Sequence, residues 1–365
     1  MKKTMQIVTA VLFCLFIGLF GVLHIVLPDR EFSPTENRTL AALPVFSWET
    51  LVDGSYTADL EKYLADQFPL RDDWMGVKAR YEWLLGKREF HDVFLCGDTL
   101  ISNIKDTSRA EANLACIEKL LGKTDKPVYL GLIPTAAETW KDKLPAGAPV
   151  FDQQAYLAKA KELGAIWVDM AGVLTEHADE QVYYRTDHHW TSLGAYYGYT
   201  AFLEAAGLDI PALGEGKTVA DDFYGTLYST SGIHWLQPDT IEYYVFDDAI
   251  TVENGLTGEI GGLYVESKLQ EKDKYSSFLG GNNPLYIVRN PNAATDRKLL
   301  VVRDSYSDSL APFLSQTYSE IHLVDLRYFR TSVAMYAKMA GVDEIFLCYS
   351  IDNFVKDVDA VFIGQ

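Results

Sequence analysis

The chain has 365 residues, enough to bury one large core with length to spare for an anchor and a stalk. It is 48% hydrophobic and 23% charged with no low-complexity tract, which is the composition of a globular protein. A net charge of -19 excludes a nucleic-acid partner, because phosphate binding requires a basic face.

The predicted elements begin with Lys2 and Lys3, followed by an apolar run over residues 5–27. A helix of that length spans the ~30 Å hydrocarbon core, and the flanking lysines place the remainder of the chain outside the cytoplasm. A cleavable signal peptide is the rival, but no A-x-A-like site follows Leu27, so the expectation is a single-pass cell-membrane anchor. Residues 28–90 read as a Pro-punctuated connector (Pro28, Pro34, Pro44) and a helical neck packing on the main domain. Leu60, Tyr63, Leu64 and Phe68, then Trp74, Val77, Tyr81 and Leu84, recur there at three- and four-residue spacing.

Residues 91–365 alternate between strand and helix patterns. A short hairpin is expected around Gly97-Asp98, a helix over 110–121 stopped by Gly122, and an apolar strand over 128–133 stopped by Pro134. A helix over 154–163 and a strand over 166–168 follow. A helix over 193–206 has Thr191 or Ser192 as N-cap and Gly207 as its stop. Apolar strands are expected at 299–302, 321–324 and 345–347. Strands buried on both faces and alternating with helices imply a parallel sheet between helical layers, an α/β fold. Residues 208–286 break the rhythm with Gly and Tyr, and read as a β-rich insertion beside the active site.

Cys14 lies in the apolar run, which leaves Cys96, Cys116 and Cys348. Their spacing fits neither a metal site nor a disulfide framework, so buried free thiols are expected. The 22 Tyr and 7 Trp suit a surface that stacks on sugar rings, and equally an aromatic core.

Two segments carry reactive chemistry. Arg185-Thr186-Asp187-His188-His189-Trp190-Thr191 stands just before a predicted helix. In extended backbone, residues two apart share a side, so Asp187 can orient the His189 imidazole and leave its other nitrogen free as a general base. A satisfied structural histidine fits the same pattern. The second segment, Leu299 to Tyr306, runs from an apolar strand into a helix-like stretch, with Ser305 at the turn. A nucleophile exposed at such a turn has helix N-terminal N–H groups beside it for a developing oxyanion. The alternative is that Ser305 or Ser307 merely caps the helix.

These segments occur together with Phe32-Ser33-Pro34-Thr35-Glu36-Asn37-Arg38-Thr39-Leu40, Asp66-Gln67-Phe68-Pro69-Leu70-Arg71, Phe223-Tyr224-Gly225 and Phe278-Leu279-Gly280-Gly281-Asn282. With Asp187-His188-His189-Trp190 and Asp304-Ser305-Tyr306, they make the chain resemble the DHHW proteins, relatives of the alginate O-acetylation proteins in the SGNH-hydrolase-like group. The resemblance implies an SGNH-hydrolase-like three-layer sandwich with a parallel sheet, in a circularly permuted motif order, because ordinary SGNH hydrolases put the Ser first. It implies Ser305 as nucleophile, His189 as base and Asp187 as its orienting partner, in an O-acetyltransferase or O-acetylesterase acting on a cell-surface or secreted polysaccharide. Arg303 stands where the related turn usually has Gly, and a side chain there is expected to crowd the turn.

For the oxyanion, the Ser305 N–H, the Gly281 N–H and the Asn282 side chain are candidates, since SGNH folds use a Gly and an Asn. Gly280-Gly281 also fits a plain tight turn. His188 and Trp190 are expected to shape the site, Trp190 either stacking on a sugar or lying under the neighbouring helix. No cofactor or metal is called for. Acyl-CoA is absent outside the cell, so a transferase would need a membrane partner that exports acyl groups. Two rivals stand beside this reading. One is a manganese phosphoesterase, which would need further aspartates such as Asp169 and Asp325 to hold two metals. The other is a catalytically inactive glycan-binding or assembly protein of the same fold.

Overall fold

A computed structural model describes residues 2–365, in two compact units. The first runs to Lys87 and takes in Gly232–Trp235; the second is formed by Arg88–Ser231 and Leu236–Gln365.

In the first unit, helix α1 (Lys2–Val26) is long and apolar enough to cross a membrane, with no part of its apolar window buried. Helices α2 (Ser55–Asp66) and α3 (Arg71–Leu84) form the neck. The connector is tied to them by charge. Arg38 donates to both oxygens of the buried Asp66 at 2.9 and 2.5 Å, and the Ala41 N–H donates to the same carboxylate at 2.9 Å. The Arg38 guanidinium thereby holds the Asp66 carboxyl below its ordinary range. Glu36 pairs with Arg71, so the two motif segments 32–40 and 66–71 are halves of one ion-pair cluster. The neck departs from expectation in one respect. Trp74, Val77, Tyr81 and Leu84, periodic as a packing stripe should be, are exposed.

The second unit opens with the hairpin Val93–Cys96 and Thr99–Ser102, turning at Gly97-Asp98. Helix α4 (Ala110–Leu121) follows, then strand β1 (Val128–Ile133), helix α5 (Gln153–Lys161) and strand β2 (Ile166–Trp167). Helix α6 (Ser192–Ala206) starts where Thr191 Oγ accepts from the Gly194 N–H, and ends at Gly207, whose φ of 64° suits glycine. Next come helix α7 (Thr226–Ser231) and strands β3 (Thr251–Asn254), β4 (Ile260–Gly261), β5 (Leu285–Arg289) and β6 (Thr295–Arg303). Helix α8 (Ser307–Thr317), strand β7 (Tyr318–Val324), helix α9 (Val333–Ala340) and strand β8 (Glu344–Ser350) complete the frame.

One eight-stranded sheet, ordered β4-β3-β5-β7-β6-β8-β1-β2, organises this unit. β7, β6, β8, β1 and β2 run parallel, and β5, β3 and β4 extend the β7 edge antiparallel. Alternation sorts the side chains into two cores. Leu299, Val301, Leu323 and Phe346 join Tyr199 and Phe202 of α6 and Leu310 and Leu314 of α8 on one face. Leu300, Val302, Ile345 and Leu347 join Leu114 and Ile117 of α4 and Tyr336 and Ala337 of α9 on the other. The result is a helix–sheet–helix sandwich around a mostly parallel sheet.

The stretch 208–286 carries the short β-strands expected of it, in two places. A two-stranded ribbon, Lys217–Phe223 with Asp239–Tyr243, stands apart, but β3 and β4 are continuations of the main sheet. Cys96, Cys116 and Cys348 are free and buried, and burial pushes the Cys96 thiol up to about 11.

Candidate active site

β6 is an interior parallel strand, flanked by β7 and β8, and the chain leaves its C-terminal end through Asp304-Ser305-Tyr306 into α8. Asp304 fixes this turn from inside. Its Oδ1 accepts from the Tyr306 N–H at 3.0 Å. Its Oδ2 accepts from the Ser350 N–H, the Ser350 hydroxyl and the Asn353 amide at 2.9, 2.7 and 2.9 Å. The turn is therefore tied to the end of β8. The start of α8 receives no side-chain cap, and from residue 299 to 315 Ser305 alone is not buried. A hydroxyl kept open while every neighbour is covered is not a helix cap.

Ser305 Oγ lies 2.8 Å from His189 Nε2, and His189 Nδ1 lies 2.5 Å from Asp187 Oδ1. Burial alone would raise the Asp187 carboxyl. The charges of His188 and His189, the His189 hydrogen bond and the Thr226 N–H outweigh it and hold Asp187 well below the ordinary carboxylate range. An ionised carboxylate only accepts, so the proton sits on Nδ1 and Nε2 accepts from the serine hydroxyl. An imidazole held this way can take a proton from an attacking serine.

The other carboxylate oxygen is held by α7. Asp187 Oδ2 accepts from the Thr226 N–H at 2.7 Å and the Thr226 hydroxyl at 3.0 Å. The approach requires glycine at 225, because a Cβ there would stand 2.2 Å from the Asp187 Cβ. This accounts for Phe223-Tyr224-Gly225 among the motifs. The Tyr275 ring stacks on His189 at 3.9 Å and 10°, and its hydroxyl donates to the Ser305 carbonyl at 3.1 Å. Beside α7, the rings of Tyr224 and Tyr228 lie 4.4 Å apart, with the Lys272 ammonium 5.7 and 5.4 Å from their centroids. Burial lowers the Lys272 pKa, while the Asp187 charge opposes it. No sequence periodicity signals Thr226, Lys272 or Tyr275. The last is one tyrosine among many in an irregular stretch.

The remaining expected residues divide. His188 sits at the site, its Nδ1 2.6 Å from Thr226 Oγ1 and its carbonyl accepting from the Tyr306 hydroxyl. Trp190 is fully buried against α6, with Nε1 donating to the Tyr306 carbonyl at 2.9 Å and to Ser309 Oγ at 3.0 Å. A Cβ on Gly198 would come within 2.7 Å of its ring, so Trp190 is a packing residue and not a sugar platform. The Gly281 N–H points to the Phe278 carbonyl at 3.4 Å, and the exposed Asn282 accepts from Arg327 at 3.4 Å. That segment is a tight turn, whereas the Ser305 N–H has no acceptor among the described residues. Arg303 does not crowd the nucleophile turn. Its side chain is fully buried, ion-paired with Asp308, and donates to the Asp304 carbonyl at 3.4 Å. Asp187, His188 and His189 present ligand atoms within 4.8 Å of one another. Asp169, however, caps a helix by accepting from the Gly172 N–H, and Asp325 pairs with Arg327 at 2.6 Å, so neither joins them.

Burial and the charge of His189 lower the His188 pKa from its ordinary value to about 4. Between about 4 and the usual 6.5 the unfolded chain binds the extra proton, so His188 contributes stability that is complete above 6.5 and lost as pH falls toward 4. Denaturation midpoints at pH 7 and 4.5 should fall further for the native chain than for His188→Gln. Equal falls would show that His188 titrates alike in both states.

Residues 150–324 match the family model described as DHHW protein, the family the sequence motifs resemble. No curated protein matches the chain. Among solved structures, a DHHW family protein from Eubacterium siraeum is 23% identical with a TM-score of 0.63, over 74% of this chain and 96% of that one. Bacillus cereus PatB1, solved with a sulfonyl adduct, is 18% identical with a TM-score of 0.60, over 74% and 97%. The O-acetyltransferase domain of Pseudomonas putida AlgJ is 18% identical with a TM-score of 0.46, over 72% and 92%. The first two are likenesses of fold.

Proposed function

We propose that this chain is a membrane-anchored, extracytoplasmic Ser-His-Asp acyl-ester enzyme with an SGNH-hydrolase-like core, an O-acetyltransferase or O-acetylesterase of a cell-surface or secreted polysaccharide. The observation that carries the reading is the line Ser305 Oγ, His189 Nε2, His189 Nδ1, Asp187 Oδ1, with contacts of 2.8 and 2.5 Å at the C-terminal edge of the sheet. Ser305 Oγ attacks the acyl carbonyl carbon while its proton passes to His189 Nε2. The carbonyl oxygen gains negative charge beside the Ser305 N–H and the N-terminus of α8. Collapse expels the donor's alcohol or thiol, which takes the proton from His189 and leaves acyl-Ser305. A sugar hydroxyl or water, deprotonated by the same nitrogen, then attacks the acyl-serine and frees Ser305.

The rings of Tyr224 and Tyr228 and the Lys272 ammonium beside them supply the stacking faces and the donor that a sugar acceptor would use, which supports the reading. Helix α1 fits the anchor, and a transferase would draw its acyl groups from a membrane export partner. A sulfonyl fluoride probe tests the reading. Peptide mapping should place one sulfonyl group on Ser305, and prior incubation with an acetyl ester should slow the labelling. A chain that stays unlabelled, or is labelled only elsewhere, would be a glycan-binding protein without turnover.

A further inference from the structure

Helix α3 (Arg71–Leu84) faces two ways. Trp74, Val77, Tyr81 and Leu84, continued by Leu85, follow helical periodicity and form one apolar stripe about 100° wide. These residues are 41, 56, 62, 74 and 70% exposed in that order. The far side of the helix is the packed one. Ala79 is buried, a Cβ on Gly76 would meet His234 at 4.0 Å, and the Arg80 guanidinium lies 4.8 Å from the Trp235 ring. An amphipathic helix in a water-soluble unit buries its apolar stripe; this one displays it, and contiguous exposed apolar surface marks a protein or membrane contact.

What covers the stripe follows from its continuity with α1. The Trp74 ring lies 6.1 Å from Phe16 and 5.8 Å from Phe20, Phe68 stacks on Phe20 at 5.3 Å, and Tyr63 lies 5.9 Å from His24. Contacts at 24, 20 and 16 mean that the α2–α3 corner descends along α1, to roughly 15 Å below Val26 at 1.5 Å per residue. From Lys3 to Phe20 the helix measures roughly 26 Å, close to the ~30 Å hydrocarbon thickness. If α1 spans a bilayer, its outer boundary falls level with Phe68 and Trp74, the depth at which aromatic side chains collect.

We propose that α3 is an interfacial helix, lying on the outer leaflet of the bilayer that α1 crosses, with its stripe from Trp74 to Leu85 sunk into the boundary between headgroups and acyl chains. Lys78, exposed at the border of the stripe with its ammonium 3.9 Å from Glu82, has an apolar stem long enough to let it reach lipid phosphates. The inference rests on reading α1 as a membrane anchor, and the test separates the two.

The full chain carrying Leu84→Cys and Cys14→Ser is labelled with bimane and placed in phosphatidylcholine nanodiscs; the other three cysteines are buried. Nitroxide-bearing lipid should quench the label at least about twofold more than it quenches one at Glu61→Cys on α2, and aqueous iodide should do the reverse. A label on the native Cys14 reports the anchor. Lipid quenching at Cys14 with iodide quenching at position 84 overturns the interfacial helix alone. Iodide reaching Cys14 overturns the anchor and the inference with it. A label at 84 shielded from both quenchers assigns the stripe to a protein contact, and equally overturns the proposal.

Discussion

Ser305→Ala and His189→Ala are each expected to lower ester turnover by a factor on the order of 10⁶, and the double variant by little more, because serine and imidazole act as a unit. Ser305→Ala removes little buried volume, so its unfolding midpoint should stay close to that of the native chain; His189→Ala strips a buried ring from Tyr275 and from the Asp187 carboxylate, and its midpoint should fall further. Asp187→Asn should cost about 10⁴, as an amide in that place favours the wrong imidazole tautomer. Its two other ties, to the Thr226 N–H and hydroxyl, keep the 187–189 segment in position. Steady-state kinetics on an acetyl ester, with circular dichroism as the folding control, measures all four variants. Full activity in Ser305→Ala would end the serine mechanism. If that activity then vanished with a chelator, the chemistry would move to a metal held by Asp187, His188 and His189, whose ligand atoms are close enough to share one.

Arg303→Ala is expected to destabilise the second unit by about 3–5 kcal/mol, the range for stripping one partner from a buried ion pair. Arg303 and Asp308 are both buried, and burial pushes the Asp308 carboxyl up to about 7 even with the guanidinium pulling it down. Without Arg303 the carboxyl would take up a proton or leave the core. The pair is nonetheless poor in hydrogen bonds: Nε and Nη2 of Arg303 find no acceptor among the described residues, and the guanidinium sits 5.9 Å from the Tyr286 ring centroid. Replacing both partners by apolar residues of similar volume, Arg303→Met with Asp308→Leu, should therefore cost less than the single change. Urea midpoints of the full chain in detergent decide it. A single variant within about 1 kcal/mol of native would mean that the interior at Arg303 is wetter than its burial implies.

The central strands were legible because residues 128–133 and 299–302 are apolar on every position, which only a strand covered on both faces tolerates. The candidate site residues were legible for a related reason. A carboxylate two residues before an imidazole, and a serine between an apolar strand and a helix, are local patterns whose geometry follows from backbone periodicity. What holds those residues in place is not local. Thr226, Tyr275 and Gly225 come from irregular stretches where no period announces a side, and they matter only through where the fold delivers them. The short antiparallel strands expected in 208–286 are present, but that β3 and β4 extend the main sheet was not legible, since both are short with water on part of their surface. Trp190 shows the limit of chemical analogy. A tryptophan beside an active-site histidine suits a sugar platform until Gly198 opens a slot for it in the core.

The hold that Thr226 and Tyr275 keep on Asp187 and His189 bears on when the site comes into being. Asp187 and Thr226 are 39 residues apart and His189 and Ser305 are 116 apart, so the arrangement exists only once distant segments have come together. A chain whose 208–286 region is still unfolded carries Asp187, His189 and Ser305 but lacks the N–H that fixes the carboxylate and the ring that covers the imidazole. On the proposed reading, reactivity belongs to the folded chain alone.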